Sequence, residues 1–81
     1  MTANEFGNWL QEREYILILD ATKWIIKSEE NGANLIEISN LSSNSLFCKM
    51  LVHGVNKIEL LEKAIEFAKT PHYERWSKKW H

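Results

Sequence analysis

The sequence contains very little cysteine, proline or glycine. Its 81 residues include one cysteine, Cys48, one proline and three glycines. A single cysteine excludes a disulfide within the chain and favours a reducing compartment such as the cytoplasm. So little proline and glycine is atypical of disordered chains. We therefore expect one small folded domain over residues 1–81, stabilised by ordinary apolar packing.

A long apolar segment is also missing. The longest apolar run, residues 15–19, is far shorter than the roughly 20 residues that span a bilayer as a helix. The first residues are polar and acidic, without the basic and apolar regions of a secretory signal. These features predict a cytoplasmic protein without membrane association.

Charge is nearly balanced overall but is unevenly distributed. The formal net charge is −1. Residues 1–40 carry three basic and seven acidic side chains, whereas residues 41–81 carry seven basic and four acidic ones. The balance does not indicate a general affinity for nucleic acid, but it makes the C-terminal half the basic one.

The N-terminal segment has the pattern of a capped helix. Thr2 and Glu5 have the spacing of a capping box, and Phe6, Trp9 and Leu10 follow at helical spacing. We expect this helix to end near residue 14. A single long helix over residues 3–30 is the alternative, because apolar residues in this region also fit one helical face.

Short apolar runs separated by turn residues predict three or four strands, at residues 15–19, 24–28, 35–39 and 46–53. Asn31 and Gly32 tolerate positive φ, which predicts a two-residue type I′ hairpin turn. In the last strand, period-two alternation places Cys48 on the apolar face with Leu46, Met50 and Val52, where we expect it to be buried and unreactive.

Two helices are predicted at the C-terminal end. Asn56 is a candidate N-cap, with Glu59 three residues later, and Thr70 with Pro71 predicts a new helix from residue 71 to about residue 79. The predicted fold class is α+β: a three- or four-stranded antiparallel sheet with one N-terminal and two C-terminal helices packed on one face.

No catalytic or metal-binding signature is present. Cys48 and His53 are five residues apart, so a regular strand directs them to opposite faces. Together with His72 and His81 they lack the ligand spacings of zinc sites. We expect a protein that is not an enzyme and that has no cofactor and no metal.

The C-terminal segment is the candidate binding site. Its aromatic residues fall on one face of the predicted last helix, beside a basic stripe. We expect Trp76 to dock on the domain, and we expect Arg75 to stay exposed together with Lys78 and Lys79. The alternative is that the aromatic stripe only closes the core. The predicted binding residues are Tyr73, Arg75, Trp76, Lys78, Lys79 and Trp80.

These observations favour a small protein-binding module, an inhibitor, antitoxin-like protein or adaptor of the kind common on phages and mobile elements. Its protein partner and oligomeric state stay open. The alternative is a nucleic-acid-binding domain that uses the basic aromatic C-terminal helix. The helix–strands–helix order resembles double-stranded RNA-binding domains, whose last helix begins with a phosphate-binding lysine cluster. Here that place, residues 56–59, holds one lysine, Lys57, and one glutamate.

Overall fold

The computed structural model describes residues 1–76 of the chain. The four strands form one antiparallel sheet in chain order, β1-β2-β3-β4. The predicted α+β class is confirmed, and the alternative of one long helix over residues 3–30 is wrong. The elements are α1 (Ala3–Gln11), β1 (Tyr15–Asp20), β2 (Lys23–Ser28), β3 (Asn34–Ser39), β4 (Leu46–Cys48), α2 (Val55–Lys69) and a short 3₁₀ turn (His72–Glu74).

Helix α1 begins as its sequence predicts. The Thr2 hydroxyl accepts from the Glu5 amide at 3.2 Å, and the Glu5 carboxylate accepts from the Thr2 amide at 2.8 Å. The backbone hydrogen bond from Thr2 lowers the pKa of Glu5. The helix ends at Gln11, earlier than expected, because the chain turns into β1 through Glu14, whose φ is 66°.

The core lies between the two helices and one face of the sheet. Strand register places Trp24 opposite Ile38 and Ile26 opposite Ile36, so these four side chains point to the same side. The buried core consists of Phe6, Leu10, Trp24, Ile26, Ile36, Ile38, Leu60, Ala64, Phe67 and Ala68.

The connection between β2 and β3 differs from the predicted type I′ turn. It spans residues 29–33, and Gly32 has φ 71° while Asn31 does not share the positive φ. The Gly32 amide donates to the Ser28 carbonyl at 2.8 Å. Asn31 contributes through its side chain instead, since its Oδ1 accepts from the Ala33 amide at 2.9 Å. A polar side chain that bonds to the local backbone stabilises a wider loop.

Strand β4 is shorter than predicted, because it ends at Cys48 rather than at residue 53. Cys48 pairs with Ile36, which puts it on the core side as expected. The thiol is only half-buried and donates to the Met50 carbonyl at 3.5 Å. Val52, which was expected on the same face, is exposed beyond the strand.

The predicted start of α2 is also wrong, because the observed N-cap is Gly54, two residues before Asn56. The helix begins at Val55 after Gly54, whose φ is 87°, and no side chain caps it. Asn56 is therefore already inside the helix. Glu59, its expected capping partner, lies 3.6 Å from the Arg13 guanidinium instead.

The third helix predicted from residue 71 is absent from the described part of the chain. Residues 72–74 form one 3₁₀ turn, closed by the Glu74 amide donating to the Pro71 carbonyl at 2.8 Å. The Thr70 hydroxyl donates backwards to the Glu66 carbonyl at 3.0 Å, so it does not cap a following helix. The remainder of that prediction, residues 77–79, lies outside the described residues. Neither helix here has the length and apolar character needed to cross a membrane.

The Gly32 conformation can be tested by substitution. Gly32→Val should lower the free energy of unfolding by about 1–2 kcal/mol, because a β-branched residue resists positive φ. The neighbouring Ala33→Val, at an exposed position without positive φ, is the matched control and should change it by less than about 0.5 kcal/mol. Urea denaturation midpoints measure both. Equal midpoints for the two variants would contradict the assigned loop geometry.

Candidate protein-binding site

The predicted C-terminal site residues do not form one stripe in the described structure. Tyr73 is 71% exposed on the 3₁₀ turn, Arg75 is fully buried, and Trp76 is 46% exposed. The prediction that Arg75 stays exposed is therefore wrong. Trp76 docks as expected, with its ring centroid 5.3 Å from that of Trp24. Lys78, Lys79 and Trp80 lie outside the described residues.

Arg75 is buried because its guanidinium donates hydrogen bonds to free backbone carbonyls at the ends of two secondary-structure elements. Nη2 donates to the Ala68 carbonyl at 3.0 Å and Nε to that of Thr70 at 3.1 Å, at the C-terminus of α2. Nη1 donates to the Ser39 carbonyl at 2.7 Å, at the end of β3. A cation at a helix C-terminus also interacts favourably with the helix dipole. Burial disfavours the charged form and lowers the pKa of Arg75 from its ordinary value. The three hydrogen bonds to backbone carbonyls offset this cost, so the guanidinium has a structural role.

Removal of the Arg75 head group should destabilise the protein. Arg75→Met should lower the free energy of unfolding by about 2–4 kcal/mol, because it leaves buried carbonyls without donors. Arg13→Met is the matched control: Arg13 is exposed, and its guanidinium stacks over Trp9 at 4.0 Å, so we expect a loss below about 1 kcal/mol. Thermal or urea unfolding compares the two. Similar losses in both would contradict a structural role for Arg75.

A row of aromatic rings leads from the core to the surface. Phe6 stacks on Phe67 at 4.8 Å, and Phe67 meets the edge of Trp24 at 5.5 Å. The Trp24 indole is fixed further by its Nε1, which donates to Asn40 Oδ1 at 3.0 Å. Trp76 forms the outer end of the row. The exposed ring therefore rests on a rigid, buried support.

Trp76 and Trp24 line a groove of about 600 Å³ between α1 and β1. Helix α1 contributes small or uncharged polar side chains, and β1 contributes Tyr15, Ile16 and Leu17. Glu29 is the one charged residue of the lining within residues 1–76, where the other lining residues are Ala3, Asn4, Gly7, Asn8, Gln11, Tyr15, Ile16, Leu17, Trp24 and Trp76. A largely uncharged, partly apolar groove of this kind is suited to apolar side chains.

The groove runs beside an open sheet edge, because β1 pairs only with β2 among the described strands. The Glu29 amide donates to the Glu14 carbonyl at 3.0 Å. Antiparallel ladders alternate, so with the observed register the backbone groups of residues 16, 18 and 20 point to β2. Those of Tyr15, Leu17 and Leu19 point away from the sheet and have no partner in the described part of the chain.

The side chains of this edge strand are apolar and accessible. Ile16, Ile18 and Leu19 are 39%, 37% and 41% exposed. Residues 15–19 carry no charge. Proteins usually protect exposed edges by short length, charge, proline or a bulge, and β1 has none of these over five consecutive residues.

On the sheet face away from the helices, a carboxylate bridges two lysines. Glu37 accepts from Lys23 and from Lys49, each at 3.1 Å. These hydrogen bonds, first that of Lys23, lower the pKa of Glu37. The bridge links β2 and β3 to the residue that follows β4, next to the buried Ile25, which pairs with Glu37. It also engages two cations that would otherwise be available to phosphates.

The Glu37 bridge should depend on pH. Because the pKa of Glu37 is lowered on folding, its stabilising contribution is present above the unfolded carboxyl pKa of about 4.3 and is lost as pH falls through the folded pKa. Glu37→Gln should therefore reduce stability at pH 7, and its difference from wild type should shrink as pH falls below the unfolded pKa. The control is Glu30→Gln in the exposed loop. Urea denaturation midpoints of wild type and both variants from pH 3 to 8 measure the pH dependence of stability. A wild-type advantage that persists unchanged at low pH would contradict the assignment.

The described residues contain no candidate metal site. No group of three or more His, Cys, Asp or Glu side chains within residues 1–76 could hold a metal ion. His53 is exposed in the connection after β4, while Cys48 faces the core side. Comparison with known proteins gives no assignment, because no family model, no curated protein and no solved structure matches this chain.

Sequence reasoning missed the β1 edge, although part of the signal was visible. The uniformly apolar run at residues 15–19 is equally typical of a strand that is buried on both faces. A strand buried on both faces and a strand at an edge have the same apolar composition. Only the order of the strands in the sheet distinguishes the two.

Proposed function

We propose that the protein is a non-enzymatic protein-binding module that recognises a partner by strand addition at the β1 edge. The observation that supports this is the outward row of backbone groups on Tyr15, Leu17 and Leu19. An extended segment added there gains main-chain hydrogen bonds, while pockets for alternate side chains supply specificity. Such a module acts as an inhibitor or adaptor by occupying a segment of its partner.

The groove gives the added segment a place for its side chains. Residues of the new strand that face the helix side would lie next to Tyr15 and Leu17, which line the groove. Trp76 stands at the same groove, supported by Trp24. Tryptophan is among the residues most enriched at binding hot spots. Trp76 therefore remains in the proposed site, whereas Arg75 does not.

A protein partner is favoured over the alternative, nucleic acid. Arg75 is buried, Lys23 and Lys49 are engaged by Glu37, and Lys57 donates to the Tyr15 hydroxyl at 3.3 Å. Phosphate binding relies on accessible cations. Residues 15–19 of the open β1 edge carry no cation of their own.

Proline at the centre of the edge tests the proposal. The Leu17 amide points outward, so Leu17→Pro removes a donor from the free edge without breaking a bond to β2. Leu17→Ala is the matched control, since it trims the side chain but keeps the amide. Tagged wild type, Leu17→Pro and Leu17→Ala are used to capture proteins from the native cell, with circular dichroism to verify folding. We expect specific partners with wild type and Leu17→Ala and at least a tenfold loss with Leu17→Pro.

Two results would overturn strand addition. One is an unchanged set of partners with folded Leu17→Pro. The other is the loss of all partners after nuclease treatment, which would instead support the nucleic-acid alternative.

A further inference from the structure

We propose that a second copy of this chain pairs antiparallel with β1, so that two four-stranded sheets join into one eight-stranded sheet across a two-fold axis at Leu17. This inference rests on the proposed function, because it assigns an occupant to the same β1 edge. It goes beyond that function by naming the partner and the strand register.

The difference between the two sheet edges supports the choice of β1. Strand β4 has three residues and is followed by Lys49, and a short edge with a lysine resists association. Strand β1 has six residues, Tyr15–Asp20, with a charge only at its last position. The sheet is thus protected at one edge and open at the other.

The lack of charge supports a second copy as the occupant. In a two-fold interface the same patch contributes to both sides, so charges near the axis would meet like charges. Residues 15–19 are uncharged, as are the α1 side chains that line the adjoining groove. Glu29, which also lines the groove, lies beside Glu14, three residues from the proposed axis. In a chain with 26% charged residues, this patch meets the main requirement for pairing with itself.

The alternation of the ladder selects one register. Only Tyr15, Leu17 and Leu19 present outward backbone groups, and antiparallel pairing joins outward residues to each other. A two-fold axis at Leu17 pairs Leu17 with its own copy and Tyr15 with Leu19 of the second copy. This register uses all three outward residues on each chain, whereas a shift by two residues leaves one of them unpaired.

The side chains fit the same register. On the face away from the helices, Ile16 comes opposite Ile18 of the second copy, and the symmetric pair repeats this contact. These isoleucines are 39% and 37% exposed in the single chain, and cross-strand β-branched pairs stabilise sheets. Asp20 falls at the margin opposite Glu14 of the second copy. The dimer should therefore tighten, rather than weaken, as salt screens this repulsion.

Mass and cross-linking test the dimer. Wild type should show a dimer mass by light scattering at micromolar concentration, and folded Leu17→Pro should be monomeric. For the register, Ile16→Cys and Ile18→Cys are prepared separately with Cys48→Ala. These two positions form a non-hydrogen-bonded pair with Cα atoms about 4.5 Å apart, within disulfide range. An oxidised equimolar mixture should give at least tenfold more disulfide dimer than either variant alone.

Each result decides the inference. A monomer for wild type, a dimer that survives in folded Leu17→Pro, or equal cross-linking of either single variant overturns the β1 dimer. If the chain is monomeric but its captured partners still depend on the Leu17 amide, the dimer fails and strand addition to another protein stands. If the mixture cross-links as expected while no other protein is captured through β1, the dimer stands and recognition of a different partner fails.

Discussion

The buried guanidinium of Arg75 connects most of the fold. The three guanidinium nitrogens donate to carbonyls at the end of β3 and at the C-terminus of α2. The backbone carbonyl of Arg75 accepts from the Ala3 amide at the start of α1. One residue thereby ties both helices and the sheet together. Because its acceptors are backbone carbonyls rather than a mobile carboxylate, the geometry is fixed by the secondary structure itself.

This arrangement also positions the candidate site. With Arg75 anchored, the next residue, Trp76, is placed against Trp24, whose ring is itself held by Phe67 and Asn40. The groove between α1 and β1 thus has one wall that belongs to the core. A rigid wall beside an open strand edge lowers the entropic cost of ordering a bound segment.

The two faces and the two edges of the sheet have different structural roles. One face carries the core, and the other is held by the Glu37 bridge to Lys23 and Lys49. Edge β4 is short and is followed by a lysine, whereas edge β1 is apolar and open. Exposed apolar surface and unpaired backbone groups are costly for an isolated chain, and the proposed pairing at β1 would relieve both costs.

The sequence alone determined the features that depend on near neighbours. The Thr2–Glu5 capping box, the first three strands and the class of the fold follow from local spacing and alternation. It did not predict the loop after β2, where the Asn31 side chain replaced a type I′ turn, nor the capless start of α2 at Val55. Only the tertiary structure decided the role of Arg75, because its acceptor at residue 39 is distant in sequence. The same holds for β1, since strand order, and not composition, determines which apolar strand lies at an edge.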